Sequence, residues 1–237
     1  MLDIERDARA TVITLSQAEN ANRLNDEMVT ALHAALDDAD PKRTLAFRGD
    51  GPGFSAGRPH SAGGHPRGPE AAGTALADLV RLNVRVAAWP APTVAFVHGF
   101  INGAALGLTQ HMDIVVVERG TRLSFPEITY NLPPALVVSY LGRKLNDKAV
   151  RLLVMTGAEV SAERALEMGL VSSVVDSGTL DAARAHLLAE LGSRLEAEIE
   201  IKASIEEFLH DRTDLEAVMQ RGVNVVSRWT CRPKIAE

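Results

Sequence analysis

A chain of 237 residues, 46% of them hydrophobic, is long enough to form one sizeable domain with its own core. The formal net charge of −6 leaves no basic footprint, which argues against nucleic acid as a partner. The single cysteine, Cys231, excludes an intrachain disulfide and a cysteine metal cluster, and we predict no metal site.

Neither the first ten residues nor the most apolar stretch of the sequence predicts a targeting signal or a membrane span. Residues 1–10 are charged from the start and lack the basic-then-apolar pattern of a signal peptide. The most apolar stretch, residues 92–108, is short for a membrane span and contains His98, Asn102 and several glycines. We therefore expect a soluble, cytoplasmic protein with no membrane partner.

Strand and helix patterns alternate along the chain, which is typical of the α/β class. A long Gly- and Pro-rich segment interrupts them and predicts a loop. In chain order we predict a strand over 10–15, a helix over 25–40, a strand over 43–49, a loop over 50–74, a helix over 75–90, strands over 92–97 and 113–118, a mixed segment over 124–147, helices over 147–157 and 161–169, a strand over 170–175, and mostly helix thereafter.

The stretch "HGFINGAALGL", residues 98–108, starts as a loop and continues as a helix almost bare of side chains. Small residues there have two interpretations. They allow a buried helix to pack closely, or they let a negatively charged ligand approach the backbone N–H groups at the start of the helix.

Five segments in order resemble motifs of the crotonase, or enoyl-CoA hydratase/isomerase, superfamily. Each is weak alone, but together they span residues 44–176, more than half of the chain. The segments read "GPGFSAGR", "APTVAFVHGFINGAALGL", "MDIVVV", "RLSFPEI" and "LLVMTGAEVSAERALEMGLVSSVV".

The resemblance implies a fold and an assembly. It predicts an α/β spiral of ββα units with two roughly perpendicular sheets as a core domain over residues 1–176. A C-terminal helical region over 177–237 would serve trimerisation, giving a homotrimer or a hexamer. The implied substrate is an acyl-CoA thioester, with coenzyme A as part of the substrate and no separate cofactor.

The resemblance also implies an oxyanion hole for a thioester enolate. It therefore favours the interpretation in which the small residues of 98–108 let a negatively charged ligand approach the backbone N–H groups. The donors would be the backbone N–H groups of Arg58 and Ala104. Ala104 replaces a usual glycine but keeps its amide. Pro59 has no N–H, so the first donor is the residue before it. Loss of one such donor typically lowers the rate by about 10²–10³.

Glu127 is the predicted catalytic carboxylate. It follows a proline in an apolar neighbourhood, where a raised pKa would let it move a proton near neutral pH. Related hydratases use a second glutamate near the start of the glycine-rich helix, where this chain has Gly107. A single glutamate fits an enoyl-CoA isomerase. The alternative is a hydratase or hydrolase, in which Glu127, His60 or His65 would activate water.

Other residues are assigned by position within the matching segments. Arg23, Arg58 and Arg67 are candidates for binding coenzyme A phosphates. Tyr130, three residues after Glu127, is a candidate for lining the acyl pocket. Leu136 and Val137 are further candidates, because the segment 132–141 is bulkier than in many relatives, and the alternative is that they belong to the core of that helix. His98 is expected to be a structural, hydrogen-bonded histidine. The alternative function is a non-catalytic CoA-binding or assembly protein that has lost the second acid.

Overall fold

The computed structural model describes residues 1–59 and 69–208, with the backbone alone for residues 69–75. Nine strands in this part of the chain form two sheets. The larger sheet has six strands in the spatial order β1-β2-β3-β4-β6-β9. Their bounds are Leu2–Arg6 (β1), Ala10–Leu15 (β2), Thr44–Gly49 (β3), Thr93–Val97 (β4), Ile114–Glu118 (β6) and Ser173–Val175 (β9).

The larger sheet is parallel except at one edge, where β1 runs antiparallel to β2. Val12 lies opposite Ala46, which lies opposite Val94. The central strands β2 and β4 are buried along their whole length. Strands covered on both faces read as continuous apolar runs, which is why "ATVITL" and "TVAFV" show little alternation.

The smaller sheet contains three short strands in the order β5-β7-β8. The strand β5 is parallel to β7, and β7 is antiparallel to β8. Ser55 adds an isolated parallel bridge to Ile101 of β5, so the loop after β3 is tied to this sheet. The bounds are Phe100–Asn102 (β5), Arg122–Ser124 (β7) and Val160–Ser161 (β8).

Eight α-helices surround the sheets within the described residues. The side chains of Asn25, Asn146 and Ser161 accept hydrogen bonds from backbone N–H groups and so cap α1, α5 and α6. The helices are Asp26–Asp37 (α1), Pro69–Ala87 (α2), Gly103–Thr109 (α3), Ala135–Leu141 (α4), Asp147–Thr156 (α5), Ala162–Met168 (α6), Leu180–Leu191 (α7) and Leu195–Phe208 (α8).

The larger sheet separates two hydrophobic clusters. The main core packs one face of the sheet against α1, α2, α3 and α5. The second cluster lies on the other face, where the leucines of α7 cover alternate strand residues. These leucines are Leu180, Leu187, Leu188 and Leu191, and the strand residues are Val12, Ala46, Val94, Phe96 and Val116.

The predicted α/β architecture is confirmed, but the predicted loop over residues 50–74 extends too far. The helix α2 begins at Pro69, so the last six loop residues are helical. Proline is well suited to the first turn of a helix because its missing N–H would have no partner there. The chain is helical over most of 180–208, and the boundary at residue 176 stays a prediction.

None of the described helices combines the length and the apolar character that crossing a membrane requires.

Candidate active site

The chain from β4 to α3 brings a glycine-rich backbone to the junction of the two sheets. His98 follows β4, and its Nε2 lies 2.9 Å from the carbonyl oxygen of Gly51, in line with the structural role predicted for it. Gly103 opens α3 with a φ of +49°, a conformation that favours glycine. The Oγ of Ser124 donates a hydrogen bond of 2.8 Å to Oδ1 of Asn102 and fixes the residue just before the helix.

Asn22 holds the predicted oxyanion loop in place. Its Nδ2 donates to the carbonyl oxygens of Asp50, at 2.7 Å, and Gly53, at 3.1 Å. The hydroxyl of Ser55 donates in return to the carbonyl oxygen of Asn22, at 2.6 Å. Asn22 is fully buried with a φ of +53°. The sequence analysis missed it, because the loop that it holds begins 28 residues further along the chain.

The loop and the start of α3 are in direct backbone contact at Gly57. A Cβ built on Gly57 would lie 2.4 Å from the carbonyl oxygen of Asn102 and 3.3 Å from the nitrogen of Ala104. The φ of Gly57 is +74°, so no other residue fits without strain. This contact brings the two predicted amide donors, Arg58 and Ala104, to the same end of α3.

Glu127 lies on a short 3-10 helix, Pro126–Tyr130, which follows β7 directly. Its carboxylate approaches the start of α3 so closely that a Cβ on Gly103 would lie 2.9 Å from Oε1. The other oxygen, Oε2, is buried and has no hydrogen-bond partner among the described residues. Burial raises the pKa of Glu127 above its ordinary value.

Tyr140 of α4 is the second polar group at α3, and the sequence analysis missed it. A Cβ on Gly107 would lie 2.4 Å from its phenol oxygen Oη. Burial, and then the charge of Glu127, raise the pKa of Tyr140, so the phenol stays protonated. The ring packs edge-on against His111, with 4.9 Å between the ring centroids. Burial lowers the pKa of His111 to about 4, which keeps the imidazole neutral at pH 7.

The arginines predicted to bind coenzyme A flank the same loop. The Nη1 of Arg23 donates to the carbonyl oxygens of Ala56 and Arg58, both at 3.4 Å. The Arg58 guanidinium pairs with Asp26 at 2.9 Å between Nη2 and Oδ1. His60, His65 and Arg67 lie outside the described residues, so their assignments stay predictions.

The three residues predicted for the acyl pocket occupy different environments. Tyr130 is 57% exposed, Leu136 is half-buried, and Val137 is buried in the main core. The structure thus brings Glu127, Gly103, Gly107 and Tyr140 together at one helix, while Val137 faces the interior of the protein. The assignment of these three residues to an acyl pocket stays a prediction.

The fold is shared with solved structures of one family. The crystal structure of an enoyl-CoA hydratase from Mycobacterium smegmatis superposes with a TM-score of 0.88 at 24% sequence identity, covering 98% of this chain and 91% of that one. At this identity the likeness shows the fold alone, and it confirms the crotonase-like architecture expected from the sequence.

Sequence comparisons identify the family. The enoyl-CoA hydratase/isomerase family matches residues 10–237. A Thermus thermophilus protein named "Putative enoyl-CoA hydratase" is 35% identical over 183 residues, 75% of this chain and 72% of that protein. The 1,2-epoxyphenylacetyl-CoA isomerase of Escherichia coli is 31% identical over 175 residues, 71% of this chain and 67% of the isomerase. The chain therefore belongs to the enoyl-CoA hydratase/isomerase family and is a crotonase-type acyl-CoA enzyme.

Proposed function

We propose that this enzyme removes a proton from C2 of an acyl-CoA thioester and stabilises the enolate that forms. Glu127 is the base, and the backbone N–H groups of Arg58 and Ala104 bind the thioester oxygen. The observation that carries the proposal is the carboxylate of Glu127, buried against Gly103 with Oε2 unpartnered among the described residues. An unsatisfied buried carboxylate is destabilising, and such groups concentrate at functional sites.

The environment of Glu127 suits it to proton transfer. A carboxylate in water is a weak base for a C–H proton, because its ordinary pKa is far below neutral pH. Burial raises the pKa of Glu127 and so strengthens it as a base. Once protonated, the carboxyl group is a much stronger acid than the carbon that gave up the proton, so it can return the proton to the enolate.

The packing at Gly57 supports the proposed oxyanion hole. Negative charge on the thioester oxygen grows as the C2–H bond breaks, and fixed N–H dipoles stabilise that charge without reorganising. The contact of Gly57 with Asn102 and Ala104 fixes the loop amide and the helix amide relative to one another. The Asn22 hydrogen bonds hold the loop rigid behind them.

We propose double-bond isomerisation as the overall reaction. Glu127 would take a proton from C2 of a 3-enoyl-CoA, the electron pair would move through the dienolate, and the same carboxyl group would return the proton at C4. The product is the conjugated 2-enoyl-CoA, with no atom gained or lost. One proton-carrying group suffices, which fits a site that has Gly107 where related hydratases have a second glutamate.

The test is incubation of the protein with a 3-enoyl-CoA in heavy water, followed by absorbance of the conjugated product and by mass spectrometry. We expect conjugation with deuterium incorporation and no added water. A protein that binds coenzyme A but neither exchanges protons nor isomerises the substrate would contradict the proposal and favour the non-catalytic alternative.

Hydration of a 2-enoyl-CoA is the second candidate. It is favoured by the names of two relatives, the Thermus thermophilus protein and the 2,3-dehydroadipyl-CoA hydratase of Escherichia coli, which is 28% identical over 185 residues, 74% of this chain and 69% of the hydratase. In this case Glu127 would activate water. In a parallel assay with a 2-enoyl-CoA, a product heavier by one water would identify this activity.

A further inference from the structure

Two glycines of α3 lie against two polar side chains from other segments. Gly103 and Gly107 are four residues apart and therefore lie on the same face of the helix, one turn from each other. The carboxylate of Glu127 occupies the space beside Gly103. The hydroxyl of Tyr140 occupies the space beside Gly107, where an added Cβ would lie 2.4 Å from Oη and 3.4 Å from Cζ.

The position of Tyr140 is fixed by packing. The last residues of α4 carry Leu141 into the main core, while the ring of Tyr140 packs against that core and meets the edge of the His111 ring. The Tyr140 hydroxyl fills the space that a side chain at position 107 would need. The polar group beside α3 one turn beyond Glu127 is therefore a phenol.

A phenol and a carboxylate differ in whether they can accept a proton near neutral pH. Burial and the nearby Glu127 charge keep the Tyr140 phenol protonated. It can donate a hydrogen bond, but near neutral pH it cannot accept a proton from water. The neighbouring carboxylate reinforces this, because a phenolate beside Glu127 would place two negative charges together.

We propose that Tyr140 is a specificity-determining residue, which directs the enzyme to proton transfer within 3-enoyl-CoA substrates and away from water addition to 2-enoyl-CoA substrates. This inference rests on the proposed function of Glu127. Hydration requires two proton movements: one group takes a proton from water as the C3–O bond forms, and C2 receives a proton. With a phenol in the second position, Glu127 is left as the one proton acceptor, and the phenol is a poor proton donor to C2, because burial and the charge of Glu127 hold its proton tightly.

The test exchanges the two groups. Gly107→Glu with Tyr140→Phe introduces a carboxylate at position 107, and loss of Oη leaves Cζ 3.4 Å from the new Cβ, an ordinary contact. Gly107→Gln with Tyr140→Phe is the matched control, equal in size but without a proton acceptor. Tyr140→Phe alone is the second control. Hydration of a 2-enoyl-CoA is followed in ¹⁸O-labelled water, and C2 proton exchange is followed separately in heavy water.

We expect the glutamate double variant to hydrate the substrate at least about tenfold faster than either control, since a general acid or base typically contributes about 10²–10⁴. Equal rates in the glutamate and glutamine variants, with C2 exchange still present, would overturn the proposal. So would a wild-type enzyme that hydrates as fast as it isomerises. Wild-type protein without C2 exchange would instead refute the function proposed for Glu127.

A stability measurement covers the case in which the double variants do not fold. Gly107→Ala should lower the Tm of the wild-type protein, because its Cβ meets the phenol oxygen. The same substitution should lower the Tm less in a Tyr140→Phe background, where that oxygen is absent. Equal Tm losses in both backgrounds would show that the hydroxyl does not occupy the space at Gly107, and the proposal would fail.

Discussion

The protonation of Glu127 is coupled to folding. Burial raises its pKa, and Oε2 has no hydrogen-bond partner among the described residues, so the folded state binds a proton more tightly than the unfolded state does. Its contribution to stability is therefore full below its ordinary pKa of 4.5 and is lost as the pH rises through the raised value.

The variant Glu127→Gln should consequently be more stable than the wild type at pH 7, because it replaces a buried charge with a neutral amide of equal size. We expect a Tm higher by a few degrees at pH 7 and no advantage near pH 4, measured by thermal unfolding at both pH values. Glu206→Gln on the exposed face of α8 is the control and should show neither effect. A lower Tm of Glu127→Gln at pH 7 would contradict this account.

At Gly57 a positive φ coincides with a close approach of another backbone segment. Gly57→Ala should lower the free energy of unfolding by about 2–3 kcal/mol, because it adds a clash with the Asn102 carbonyl oxygen to the strain of a positive φ. Gly178→Ala is the matched control. Its φ is +79°, but its Cβ meets nothing within 4 Å, so strain alone, about 1 kcal/mol, should remain. Urea unfolding measures both variants, and equal losses would contradict the proposed backbone contact.

At the scale of secondary structure, Lys202 attaches α8 to the larger sheet. Its Nζ lies 2.7 Å from Oδ2 of Asp113 and 3.2 Å from the carbonyl oxygen of Ala91. The same carboxylate oxygen accepts two hydrogen bonds from Thr93, at 2.7 Å from the backbone N–H and 2.9 Å from the hydroxyl. One carboxylate thus joins the start of β4 to the C-terminal helix.

Lys202→Met should lower the free energy of unfolding by about 2 kcal/mol, because it leaves a half-buried carboxylate without its cation. The exposed pair between Arg164 and Glu167, also at 2.7 Å, provides the control. Arg164→Gln should lower the free energy of unfolding by less than about 1 kcal/mol. Chemical denaturation distinguishes the two, and a loss for Lys202→Met no larger than for the control would refute the role of Lys202.

The elements that sequence analysis predicted are those with a strong local pattern. The buried strands 10–15 and 92–97 and the capped helices after Asn25 and Ser161 appear close to their expected bounds. The three strands of the smaller sheet were missed because two or three residues cannot show a periodicity. The strand Leu2–Arg6 was missed because its charges conceal an exposed edge strand.

The candidate site was only partly predictable for a similar reason. Glu127 and the backbone donors lie within motifs of adjacent residues, so a sequence pattern can reveal them. The contact of Tyr140 with Gly107 joins residues 33 positions apart through the packing of α4 on α3. Local sequence carries no signal for such a contact. The indirect indication was that Gly107 stands where related hydratases have a second acid.

At the scale of the whole molecule, apolar side chains remain exposed on the C-terminal helix. Ile201 and Ile205 are 57% and 48% exposed, and they are four residues apart on one face of α8. Together with the assembly that the sequence resemblance implies, this supports the prediction that the enzyme is a homotrimer or a hexamer.

Light scattering coupled to size-exclusion chromatography tests the assembly. Three copies of a 25.4 kDa chain give about 76 kDa, and six copies give about 152 kDa. We expect one of these masses, stable on dilution to micromolar concentration. A mass near that of a single chain would contradict the proposed assembly.

The central claim is that Glu127 moves the C2 proton of an acyl-CoA thioester. It is tested most directly by the rate of deuterium incorporation at C2 in heavy water for the wild type and for Glu127→Gln, with equal coenzyme A binding shown for both. The account predicts exchange by the wild type and a loss of about 10²–10⁴ in the variant. Exchange at the same rate in both proteins would contradict it.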